Sequence, residues 1–190
     1  MDSAINQKTD EEIAELVPEN KECFVVLVRR YEDKMVRYVR RICWSNQMGV
    51  EDVVQNIFIK VYVNINSLKK GQKFSSWIYR IAHNESIDYW RKNKKHSVNI
   101  SLEENVDFFS YLANDEDIFK NIADQGNAER IQKVLQELPI KYREVLTLRY
   151  LEEKNYEEMS DILKKPVATV GTLIRRAKDK LKIIIEKQNE

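Results

Sequence analysis

The chain of 190 residues predicts an all-α protein of two small helical domains joined by a flexible acidic linker. Three observations carry that expectation. Four glycines and three prolines supply too few turns for a sheet-rich fold. Apolar residues recur at three- and four-residue steps through most of the chain, which is the helical period. Between two such stretches, Ser97 to Ala128 is weakly periodic and acidic: Glu103, Glu104, Asp107, Asp115, Glu116, Asp117 and Asp124 stand against a lone Lys120. The expected division is 1–96, a linker over 97–127, and 128–190.

The elements follow in order. Thr9 caps a short helix, with Glu12 three residues on reaching back in a capping box, and Pro18 closes it. A long amphipathic helix runs to about Trp44, with Phe24, Leu27, Val28, Tyr31, Met35, Tyr38, Val39 and Ile42 on one face. Gly49 breaks the chain. A third helix then turns Val54, Ile57, Phe58, Val61, Tyr62 and Ile65 inward and Asp52, Gln55, Asn56 and Lys60 outward. After a polar loop around Lys69-Lys70-Gly71-Gln72-Lys73, Ser75 caps a fourth helix that ends in the basic run Arg91 to Lys95. Beyond the linker the helical pattern resumes through Ile131, Val134, Leu135 and Leu138. Pro139 starts a further helix, Asn155 and Glu158 form a second capping box, and Lys164-Lys165-Pro166 precedes the final basic helix.

Composition narrows the function. No stretch reaches the roughly 18 apolar residues of a membrane span, and the N-terminus has no secretory pattern, so a soluble cytoplasmic protein is expected. Cys23 and Cys43 fall about 30 Å apart on one helix and read as buried free thiols. His83 and His96 are the two histidines, and neither a metal set nor a cofactor motif is visible. His83, Glu85 and Asp88 do not compose a catalytic constellation, so no catalytic residue is assigned.

The last two helices describe a helix-turn-helix, packed through Met159, Ile162, Leu163, Val170, Leu173, Ile174 and Ala177. In such a unit Thr169 and Thr172 are short base contacts and Arg175, Arg176, Lys178, Lys180 and Lys182 serve the phosphates, with Arg175 or Arg176 also able to fork onto a guanine. Taken alone, the stretch equally suits a solvated basic helix obeying the macrodipole rule. Charge separates the readings: Lys164 to Lys182 holds seven basic residues and one acid, while the whole chain carries +1. A DNA-binding face is thus offset by acidic surface elsewhere, which suits a protein held on DNA by a larger partner.

Three segments together, VEDVVQNIFIKVYVNI, FSSWIYRIAHNESIDYWRK and LQELPIKYREVLTLRYLEEKNYEEMSDILKKPVATVGTLIRRAKDKL, resemble a bacterial sigma factor of the extracytoplasmic-function group from about Phe24 to Lys182. The resemblance implies that Asp52, Gln55, Asn56 and Phe58 meet the β-prime clamp helices of core RNA polymerase, although Phe58 also suits a core position. It implies that Lys69, Lys70, Lys73, Phe74, Trp77, Arg80, Asn84 and Arg91 capture and melt the downstream promoter element. Hydrophobic packing is the alternative for Trp77, and the preferred reading for Trp90. Upstream-element contacts fall to Lys165, Thr169, Thr172, Arg175, Arg176 and Lys178. Ala168, Gly171 and Leu173 depart from the family pattern, so the promoter sequence does not follow. Core polymerase, promoter DNA and a cognate anti-sigma factor are the implied partners, with no insertion into a membrane. A free-standing helix-turn-helix regulator is the alternative, distinguished by independence from polymerase.

Overall fold

The computed structural model describes residues 5–43, 47–93 and 134–188, and over these the chain is helical, with no strand among the described residues. The N-terminal half comprises α1 (Asp10–Leu16), α2 (Cys23–Cys43), α3 (Gln47–Asn64) and α4 (Phe74–Asn93). The C-terminal half comprises α5 (Ile140–Leu146), α6 (Tyr156–Leu163) and α7 (Val167–Gln188). A 3-10 turn, Ile65–Ser67, follows α3, and a π-turn, Thr147–Leu151, continues α5. The acidic linker expected over 97–127 lies outside the described residues.

α2 is the strut of the N-terminal half because most of its apolar stripe is core: Leu27, Tyr31, Met35, Tyr38, Val39 and Ile42 are buried, while Phe24 and Val28, expected on the same face, are half-buried. Each such side chain contributes about 1.5–3 kcal/mol on leaving water, and truncating Leu27 to Ala would cost roughly 2–5 kcal/mol. The Thr9–Glu12 capping box starts α1 as expected. Asp10 then fastens that helix to α2 by accepting from Arg30 Nη1 and the Tyr31 hydroxyl, each at 2.6 Å. Cys23 and Cys43, at the two ends of α2, are buried free thiols; burial pushes the Cys43 thiol up to about 12.

Two local expectations are corrected. Gly49 does not break the chain but lies inside the first turn of α3, where burial of Val50 and Val53 outweighs the ~1 kcal/mol helical cost of a glycine. α4 begins at Phe74 rather than after Ser75. The backbone N–H of Phe74 donates to Glu11 Oε1 at 2.7 Å, so the cap comes from α1, 63 residues away in sequence.

In the C-terminal half, Asn155 and Glu158 form the expected capping box on α6. Lys164 ends that helix in the left-handed region at φ 52, and Lys165 N–H returns to Ser160 O at 3.3 Å. Pro166 then accepts from Val170 N–H in the first turn of α7. Met159, Ile162, Leu163, Val170, Ile174 and Ala177 are buried, completing the helix-turn-helix core, with Leu173 half-buried beside them. The two halves pack on each other, chiefly α4 against α6, and their buried side chains form one apolar cluster.

Candidate functional site

Three surfaces carry the residues singled out by sequence. The first is the outer face of α3. Asp52, Gln55 and Asn56 are exposed there, opposite buried Val53, Val54, Ile57 and Val61. Helical spacing continues this face through Ile59 and Val63, which are 59% and 70% exposed. Phe58 is half-buried, its ring 6.4 Å from that of Phe24. Tyr62, expected inward, is instead exposed and packs edge-on against Phe24 at 5.1 Å. An acidic-to-amide patch grading into an apolar one is the mixture that marks a protein partner. Sequence reading missed Ile59 and Val63; their spacing from Asp52 and Gln55 was the available signal.

The second surface lies between α3 and α4. Lys69 and Lys70 are exposed in a turn whose Gly71 adopts φ 83, a conformation open to glycine at little cost, with Gln72 N–H donating to Lys69 O at 2.9 Å. Beyond the turn, a cleft of about 500 Å³ is lined by Lys60, Asn64 and Ser67 on one side and by Trp77, Ile81, Asn84, Asp88 and Arg91 on the other. Lys60 pairs with Glu85 at its edge. Asn84 is exposed into this space, and Arg91 is exposed with Asp88 3.9 Å away.

Two expected DNA contacts are corrected here. Phe74 is fully buried, packed between Tyr31 at 5.3 Å and Trp77 at 5.8 Å, and offers no face for a base to stack on. Trp77 is 2% exposed and serves as cleft wall rather than stacking platform. The physical reason is shared: Phe74 packs against Tyr31 of α2 and Trp77 against Phe74, and burying a large ring outweighs leaving it in water.

The third surface is the outer side of α7. Thr169, Thr172, Arg175 and Arg176 are exposed along it, with Lys165 in the preceding turn. Thr172 Oγ1 donates to Ala168 O at 3.0 Å, which leaves its oxygen as an acceptor. Lys178 is half-buried, its ammonium 5.6 Å from the Tyr150 ring, so it turns away from the exposed row. Gly171 lies under Tyr156, where an added Cβ would meet a ring carbon at 3.9 Å.

The halves also meet through polar groups. Glu152, its side chain 5% exposed, accepts from Arg41 at 2.6 Å and from the Tyr79 hydroxyl. Lys154 Nζ donates to Ser75 Oγ at 2.6 Å. Lys73 faces Glu158 at 3.1 Å and Arg80 faces Asp161 at 3.4 Å. His83 Nδ1 stands 4.0 Å from Glu144. Burial holds His83 down at about 4 and pushes the Glu144 carboxyl up to about 7, with Lys165 and Arg91 acting on both. Sequence reading did not foresee this seam, because Glu158 and Asp161 look like ordinary solvated residues of α6.

No cluster of His, Cys, Asp and Glu able to hold a metal occurs among the described residues, and none of their helices is long and apolar enough to cross a membrane. Sigma-70 region 2 matches residues 27–96 and Sigma-70, region 4 matches residues 128–181. The ECF RNA polymerase sigma factor SigW of Bacillus subtilis is 34% identical over 167 residues, covering 86% of this chain and 89% of its own. The ECF RNA polymerase sigma-E factor of Haemophilus influenzae is 34% identical over 179 residues, covering 91% and 93%. Among solved structures, CnrH in complex with the cytosolic domain of CnrY shares the fold at TM-score 0.70 and 22% identity, covering 95% of this chain and 99% of its own. The sigma factor RpoE of Bartonella quintana, in complex with the anti-sigma factor NepR, does so at TM-score 0.61 and 19% identity, covering 86% and 96%. With both conserved regions present in order and relatives matching across most of its length, the chain belongs to the extracytoplasmic-function group of sigma-70 RNA polymerase sigma factors.

Proposed function

We propose a division of labour among the three surfaces. As a sigma factor the chain binds core RNA polymerase, directs it to promoters and helps melt them, and it catalyses no reaction itself. The α3 face of Asp52, Gln55 and Asn56, extended by Ile59, Tyr62 and Val63, docks on the clamp helices of the β-prime subunit. Phe58 supports that face from below. The cleft between α3 and α4 takes an unstacked base of the downstream element, with Asn84 toward the base edge and Arg91, Lys69 and Lys70 toward phosphates. Unstacking costs a few kcal/mol per base, so a protein that uses no ATP must offset it with such contacts. α7 reads the upstream element through Thr169 and Thr172, with Lys165, Arg175 and Arg176 on the backbone. The corresponding domains are 1–96 and 128–190, with 97–127 between them.

The observation that carries this reading is the exposure of Asp52, Gln55 and Asn56 on one face of a helix whose opposite face is core. The solved relative bound to the anti-sigma factor NepR supports a regulator of that class for this chain, and a cytoplasmic site of action goes with polymerase binding. Co-elution with core RNA polymerase on a sizing column tests the assignment. The parent chain is expected to associate, while Asp52→Arg loses association and keeps its melting temperature, because a surface charge alone is reversed. Association of both would remove α3 from the interface. DNA binding by the parent without polymerase association would favour the free-standing regulator.

A further inference from the structure

The basic turn between α3 and α4 is tied down at both ends, and its exit is tied by a residue far away in sequence. At the entry, Leu68 is half-buried against the core and its N–H returns to Ile65 O at 3.1 Å. Lys69, Lys70, Gly71, Gln72 and Lys73 follow, closed on themselves by the bond from Gln72 N–H to Lys69 O. At the exit, the Phe74 N–H donates to Glu11 Oε1 at 2.7 Å. Phe74 is the first residue of α4, and the opening N–H groups of a helix have no partner within it.

Glu11 can serve as an anchor because α1 is itself held. Arg30 donates to Asp10 Oδ1 at 2.6 Å and to the carbonyls of Asn6 and Lys8 at 2.7 and 3.0 Å. The Tyr31 hydroxyl donates to the other Asp10 oxygen, and Ile13, Ala14 and Val17 are buried beneath. Two neighbouring carboxylates thus point to different helices, Asp10 to α2 and Glu11 to α4. Through them the strut of the N-terminal half is linked to the turn that carries Lys69 and Lys70, with no residue of the C-terminal half taking part.

We propose that Glu11 is a positioning residue for capture of the downstream element: from α1 it fixes the start of α4, and with it the place where Lys69 and Lys70 meet the melted strand. The inference rests on the reading that these two lysines serve the downstream phosphates. A turn that is fixed before DNA arrives loses less conformational freedom on binding, so the anchor adds affinity without touching the nucleic acid. Its sign sets it apart from an electrostatic effect. A carboxylate beside a phosphate-binding turn repels DNA, so removing it would tighten binding if charge were its whole contribution. Positioning requires the opposite.

Permanganate footprinting of open complexes, formed by the holoenzyme at a promoter that the parent opens, tests this in Glu11→Ala and Glu11→Gln, alongside hydrogen exchange of the full chain over residues 69–76. Glutamine keeps an acceptor oxygen for the Phe74 N–H and drops the charge. Glu11→Ala is expected to assemble with core polymerase as the parent does, to open the promoter about fivefold less, and to exchange those amides about fivefold faster, the scale of one lost helix cap. Glu11→Gln should stay close to the parent in both. Ile42→Val, at a buried position near the end of α2, costs comparable stability and should leave promoter opening unchanged. Unchanged or stronger opening in Glu11→Ala overturns the proposal, and an equal loss in Ile42→Val assigns the effect to general stability instead. A glutamine variant as impaired as the alanine one overturns the hydrogen-bond route. Lys69→Ala/Lys70→Ala in the same holoenzyme separates the two levels: normal opening there removes the turn from DNA capture and the site reading falls, whereas opening that needs the lysines but not Glu11 sinks the positioning role alone.

Discussion

Arg143 donates from Nη1 to the backbone carbonyl of Ile42 at 2.9 Å, so a buried cation of the C-terminal half closes the last turn of α2. The same guanidinium, on a residue 6% exposed, donates to the carbonyls of Leu135, Gln136 and Leu138 at 2.8, 2.8 and 3.3 Å. Four acceptors from two segments converge on one side chain. The last carbonyls of α2 have no intrahelical donor, and a cation there also meets the negative end of the macrodipole.

Arg143→Leu leaves those carbonyls without their donor while keeping apolar volume. A loss of about 2–4 kcal/mol is expected, since each unsatisfied buried group costs about 1–3 kcal/mol and some regain water. Urea unfolding of the full chain measures it. A loss below about 0.5 kcal/mol, within the range of an ordinary surface change, would show that the carbonyls need no protein donor.

Stability should depend on pH through Glu144. Burial holds its carboxyl at about 7 in the fold, above its ordinary 4.5, against the opposing pull of Lys165, Arg91 and Arg143. The stability tied to its proton is fully present below about 4.5 and lost as pH rises through about 7. His83 runs oppositely: burial holds it at about 4 instead of 6.5, so its contribution is present above 6.5 and lost as pH falls through about 4. Between 6.5 and 4.5 the two oppose each other, and above 6.5 Glu144 acts alone. Glu144→Gln should therefore exceed the parent by about 1–3 kcal/mol near pH 8, with the gap closing toward pH 5. Denaturant midpoints at both pH values decide it, and a constant gap would assign the effect to packing.

Gly171 sits inside α7 with room for a methyl group, its nearest contact being the Tyr156 ring at 3.9 Å. Gly171→Ala should stabilise the chain by about 0.5–1 kcal/mol, or about 1–4 °C in Tm. Calorimetry reads this directly. A fall in Tm would mean that Tyr156 cannot accommodate the added carbon.

Asn84 is exposed into the cleft between α3 and α4, on a helix otherwise anchored by buried Ile78, Ala82 and Ile87. In Asn84→Ala, holoenzyme assembly and upstream binding should persist while open-complex formation falls about 10–100-fold, the scale of one lost base contact. Permanganate footprinting on the downstream strand separates the outcomes. Unchanged melting would take Asn84 out of base capture.

What could be read from the sequence was local. Both capping boxes, the stripe of α2 and the packing residues of the helix-turn-helix are set by neighbours three or four positions away, and they appear as expected except that Phe24, Val28 and Leu173 are half-buried. What escaped was decided at a distance. Glu11 displaces Ser75 as the cap of α4, though no local rule connects residues 63 positions apart. Tyr62 faces outward because α3 carries more apolar residues than its inner face can cover. Phe74 and Trp77, beside a basic loop, looked like stacking residues, and only tertiary packing, Phe74 on Tyr31 of α2 and Trp77 on Phe74, makes them core. Glu158 and Asp161 have ordinary surface spacing, and their partners become visible only when α6 is laid on α4.

The π-turn at Thr147–Leu151 holds one residue more than a regular helical turn, with Glu152 N–H returning to Thr147 O at 3.0 Å. One residue corresponds to about 100° of rotation about a helix axis. Deleting a residue here would let α5 run on as ordinary helix and swing everything after it through that angle. Glu152 would leave Arg41 and Tyr79, and α6 would present a different side to α4. The extra residue thus acts as the indexing step between the two halves: it sets which flank of one reading head lies against the other.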